Sequence, residues 1–166
     1  MKTIKILAIA AIFIVAGVVQ AFAQISKEDA DIIRAQFRKD KKDLVSEVMM
    51  LKGAKSDAFW KVYYAYDAER KKLTDVRIGI LNDYAKQYGS LDDTKASSLV
   101  NRMFDNDQAI TALQRSYYPK FAAAVGAKDA AKYYQVDNYL QLTVRKFVQD
   151  NVPFIGELDK EKVHKK

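Results

Sequence analysis

Among 166 residues there is one His and no Cys, so the side chains that most often perform nucleophilic or acid–base chemistry are nearly missing. His164 lies near the C-terminus in a charged segment, where nothing in the sequence would hold an imidazole at a reacting atom. Asp105-Asn106-Asp107 superficially resembles the start of a calcium loop, but the Gly and the distal Glu of such a loop are missing. On a helix its two carboxylates diverge by about 200°, and the triplet reads as ordinary polar helix residues. Asp92-Asp93 reads as a helix cap, and no Gly-rich phosphate loop is present. The expectation is no catalytic residue, no metal site and no cofactor.

Three charged residues fall where apolar ones belong. Arg70 and Arg77 interrupt the apolar stripe of the segment from Phe59 to Tyr88, and Asp137 sits on the apolar face of a later segment. A hairpin turn centred near residue 90 sets Asp107 opposite Leu73, between the two Arg. The expectation is an ion pair between at least one of Arg70 and Arg77 and either Asp107 or Asp137. Such a pair fixes helix register more than it stabilises, because desolvation offsets much of the attraction. The alternative is that both Arg snorkel outward.

The ten Tyr are the other chemical signal, and several are adjacent: Tyr63-Tyr64, Tyr117-Tyr118 and Tyr133-Tyr134. Neighbours on a helix diverge by about 100°, so a narrow stripe holds one ring of each pair and leaves the second on the flank. One reading is a wide core shared by several helices. The other is an aromatic surface for other polypeptides, with Trp60, Tyr64 and Tyr118 as its residues, since Tyr offers a large amphipathic contact at modest entropy cost.

The elements that position these residues are helices. Residues 1–23 have the form of a signal peptide: Lys2 and Lys5, an apolar run from Ile6 to Val19, then Ala21-Phe22-Ala23 as the cleavage site. The rest is expected to be all-α, four helices built on a long, curved antiparallel αα-hairpin, forming a single domain over residues 24–150. The first helix opens at Ser26 with a capping-box spacing to Asp29, buries Ile33, Phe37, Leu44, Val48 and Leu51, and carries RKDKKD (residues 38–43) on its solvated face. It ends near Lys52-Gly53. The second starts around Ala54 with Asp57 in its first turn and stops at Gly89-Ser90. The third runs from Thr94 to about Val125, bent at Pro119, and the fourth from about Ala127 to Asp150. Residues 151–166 are charged and expected to be disordered.

The whole chain carries 28 Lys and Arg against 21 Asp and Glu. Residues 1–23 hold two of the Lys and no acid, so the chain without them is near +5. The excess is spread along the helices, which together with export argues against nucleic acid and for acidic polypeptide segments or anionic surfaces.

The run MMLKGAKSDAFWKVYYAYDAERKKLTDVRIGILNDYAKQY, with its F-W-x-x-Y-x-x-Y core, and the later KDAAKYYQVDNYL resemble the Spy/CpxP-like family of small exported all-helical stress proteins. The family's L-T-x-x-Q repeats are not kept. The corresponding places read Leu51-Lys52-Gly53-Ala54-Lys55 and Val125-Gly126-Ala127-Lys128-Asp129, although Gln135 fits a later Gln of the pattern. The resemblance implies a curved helical hairpin, an antiparallel homodimer and a periplasmic location. It implies ATP-independent chaperone activity on unfolded or partly folded polypeptides, inhibitory partnership with a membrane sensor kinase, or a metal-stress role for which this chain offers only carboxylates. A structural envelope protein is the reading outside that set.

Overall fold

The computed structural model describes residues 40–151, with side chains to residue 146. The signal-peptide segment, the Ser26 cap, His164 and the C-terminal tail lie outside them. The described residues are all-α and comprise four helices: α1 over 40–49, α2 over Gly53–Gln87, α3 over Asp93–Val125 and α4 over Ala127–Asn151. They divide into two compact units, one of residues 51–135 and one of residues 40–50 with 136–151.

The first unit is built on the antiparallel hairpin of α2 and α3. Seam residues of α2, buried or half-buried, are Phe59, Tyr63, Tyr66, Arg70, Leu73, Arg77, Ile80 and Tyr84, in alternating steps of four and three. On α3 the same alternation runs through Leu99, Met103, Asn106, Ile110, Leu113 and Tyr117. This is a heptad seam, the packing that two long helices adopt when they lie side by side. After Tyr117 the steps become four and four, to Phe121 and Val125. The seam therefore shifts by one residue across Pro119, which stays within the helix on its exposed side. Having no N–H, Pro119 leaves the carbonyl of Arg115 without its usual intrahelical donor.

The turn follows its local chemistry. α2 tightens into a 3₁₀ turn at Tyr88–Ser90, and Leu91 is extended. Asp92 then caps α3, its side chain accepting from the Lys95 backbone N–H at 2.8 Å. At the other end Gly126 adopts φ 94° while its N–H bonds the Ala122 carbonyl at 2.9 Å, and α4 starts at once. Only Gly takes that backbone without strain.

Three local expectations need correction. α1 ends at residue 49, and the left-handed turn falls on Met50 at φ 49°, while Gly53, at φ 57°, is already the first residue of α2. Asp57 consequently lies past the first turn, which holds no acid. On α1 the buried residues are Lys41, Val45 and Met49, with Leu44 and Val48 only half-buried. The buried face is rotated one position from the apolar count, and Lys41, at 5% exposure, leaves the expected solvated face.

Candidate functional site

The half of the hairpin nearest α4 is filled by rings. Phe59 stacks edge-on with Trp60 at 5.2 Å and with Tyr133 at 5.2 Å. Phe121 lies 4.5 Å from Tyr133 and 5.5 Å from Phe59, and Tyr66 meets Tyr117 at 5.4 Å. These tilted and edge-to-face geometries are those that aromatic quadrupoles favour. Lys55 of α2 and Asp129 of α4 close over the same end at 3.7 Å, an exposed pair of small energetic weight.

The adjacent Tyr separate as the helical angle requires. Tyr63, Tyr117 and Tyr133 are buried, while Tyr64, Tyr118 and Tyr134 are exposed. Tyr64 is 51% exposed and Tyr118 41%, and Trp60 is half-buried, its indole 5.9 Å from the Tyr64 ring. Two of the three aromatic candidates are thus on the surface and the third is at its edge. Trp60 joins Tyr64 to the buried rings, since it also meets Tyr63 at 5.0 Å. A partner seated on this edge would press on a surface backed by packed core.

The buried member of one pair has chemistry of its own. The Tyr117 hydroxyl donates to Glu69 Oε1 across the seam at 2.5 Å, and Lys120 Nζ sits 3.9 Å over the Tyr117 ring. The Glu69 carboxylate accepting that proton, then burial, then its negative charge raise the phenol above the ordinary tyrosine range. Tyr117 therefore holds its proton and the bond persists through the physiological range.

Further along, a polar layer crosses the hairpin. Arg77 Nη1 lies 2.6 Å from Asp107 Oδ1 and 3.5 Å from Asn106 Oδ1. Asn106 Nδ2 donates to the Leu73 backbone carbonyl at 2.9 Å. Arg70 is 4% exposed and Arg77 is partly buried, so neither extends into solvent. Asp137 is buried in the other unit. Sequence reasoning set Asp107 at this level and missed Asn106, which is 3% exposed and bonds the very residue that Asp107 was expected to face. The missed signal is the heptad count from Leu99, which lands on Asn106.

A second apolar set was also passed over. On the half of the hairpin near the turn, Ile78 of α2 and Val100 and Phe104 of α3 are exposed, Phe104 at 66%. Val100 and Phe104 escaped notice because they are scattered among polar residues. Among the described residues no group of three or more His, Cys, Asp or Glu is placed to hold a metal ion, and no helix is long and apolar enough to cross a membrane. No protein-family model matches the chain, and no curated protein or solved structure matches it.

Proposed function

We propose that this chain is an exported polypeptide-binding protein that acts without catalysis, an ATP-independent chaperone of the Spy/CpxP type working in the periplasm as a homodimer. The observation that carries the reading is the division of the Tyr pairs, which puts Tyr64 and Tyr118 on the surface beside a ring-filled core. Exposed aromatic rings on a rigid backing bind apolar segments of many sequences with little ordering cost. Lys61 and Arg115, each three residues before one of these Tyr and exposed, add positive charge beside the rings and favour acidic segments. The signal-peptide form of residues 1–23 supports export, and the F-W-x-x-Y-x-x-Y run supports the family reading.

The single Trp makes the claim directly measurable. Titrating the chain with an unfolded client that lacks Trp is expected to shift Trp60 emission saturably, with an affinity that weakens as salt rises. Emission that stays constant at client concentrations giving full retention on an immobilised chain would place binding elsewhere. No shift and no retention would refute the function.

A further inference from the structure

The hairpin is unevenly filled along its length. On one side of the polar layer its seam buries Phe59, Tyr63, Tyr66, Ile110, Leu113, Tyr117, Phe121 and Val125. On the other side, over residues 78–105, only Ile80 and Leu99 are buried; the seam residues Tyr84 and Met103 are half-exposed. The cross-helix ties here are of another kind. Arg102 pairs with Asp83 at 2.8 Å with both side chains substantially exposed, and Arg77 pairs with Asp107 at the layer itself.

Burial of apolar surface is what holds two helices together against backbone entropy, and solvent-screened ion pairs add little. The two halves of the seam therefore differ in how strongly they are closed. The polar layer is a natural end point for opening. Parting the helices on the turn side of it uncovers only Ile80 and Leu99 among the buried side chains and hydrates charges that are already partly exposed. Parting them through the ring cluster instead exposes eight large side chains.

We infer that residues 78–105 open as a separate cooperative unit, hinged at the Arg77–Asn106–Asp107 layer, while the ring-filled half of the hairpin stays closed. Opening uncovers Ile80 and Leu99 next to Ile78, Val100 and Phe104, so one movement enlarges the apolar surface near the turn. This is a conformational property of the hairpin and stands whether or not the chain binds polypeptides.

Amide hydrogen exchange of the full chain, resolved by segment, tests it. Amides of residues 80–101 are expected to exchange at least about 100-fold faster than those of 59–70 and 110–123, because once the two helix ends part, each is too short to keep its own helical bonds and unfolds locally. Raising salt from about 0.05 to about 0.5 M should speed the first set more than the second, since it screens the two ion pairs. Asp107→Asn should accelerate residues 80–101 several-fold and the ring-filled half less than about two-fold. Equal protection in both halves of the unsubstituted chain would overturn the inference, and that comparison decides alone if Asp107→Asn does not fold. Equal acceleration of both halves by Asp107→Asn would overturn the hinge.

Discussion

Tyr117 joins three effects at one side chain: its ring is buried, its hydroxyl bonds Glu69 and Lys120 lies over its face. Tyr117→Phe keeps the ring and removes the bond, and should cost about 1 kcal/mol in urea unfolding, the usual net worth of one hydrogen bond. The pH dependence separates that bond from packing. The phenol is raised in the folded state, so its contribution is full below the unfolded tyrosine range, at about pH 10, and is lost as pH climbs through the higher folded value. The unsubstituted chain should lose stability above about pH 10 more steeply than Tyr117→Phe; parallel curves would remove Glu69 as the cause. Asn106→Ala deletes the donor to the Leu73 carbonyl and leaves a gap in the seam, and is expected to cost about 2 kcal/mol in the same measurement. At this scale the sequence was half legible. Arg77 stood out because charge in an apolar stripe demands a partner, and the hairpin register set Asp107 beside it. Asn106 and Lys41 did not, because a polar residue flanked by charges reads as surface until the seam is counted residue by residue.

The helices were legible where backbone chemistry punctuates them. Asp92 and Gly126 end and start helices because a side-chain carboxylate can take an orphan N–H and because Gly accepts a positive φ. Asp92→Ala should lower the thermal midpoint at neutral pH. The Lys95 backbone N–H holds the Asp92 carboxyl below the usual range, so the difference from Asp92→Ala should shrink as pH falls through that range. Gly126→Ala meets no neighbour within 4 Å, so its penalty isolates the backbone: about 1–2 kcal/mol, read from urea midpoints. The α1–α2 junction was misread because the left-handed residue is Met50. A Gly three positions on drew the boundary instead. Rotation of the α1 face escaped for a similar reason: Leu44 and Val48 are as apolar as Val45 and Met49, and only packing chooses between them.

For the molecule as a whole, the proposed function rests on what is left outside the core. The core takes the stripe residues, and the same helical angle that buries Tyr63 and Tyr117 delivers Tyr64 and Tyr118 to the surface. The proposed function draws together the net positive charge, the signal-peptide form of residues 1–23 and the aromatic edge, and assigns acidic, partly apolar polypeptide segments as the partner. Val100 and Phe104 enlarge the exposed apolar surface beyond what sequence periodicity marked, because a helix seam predicts what is buried far better than which leftover residues gather. The most direct test of polypeptide binding is suppression of client aggregation, followed by light scattering at low and moderate salt. The chain without residues 1–23 should delay scattering at a stoichiometry near one hairpin per client segment. The double variant Tyr64→Ser/Tyr118→Ser, folded by circular dichroism, should lose most of that effect. Scattering that rises as fast with the unsubstituted chain as without it, at both salt levels, would contradict the account.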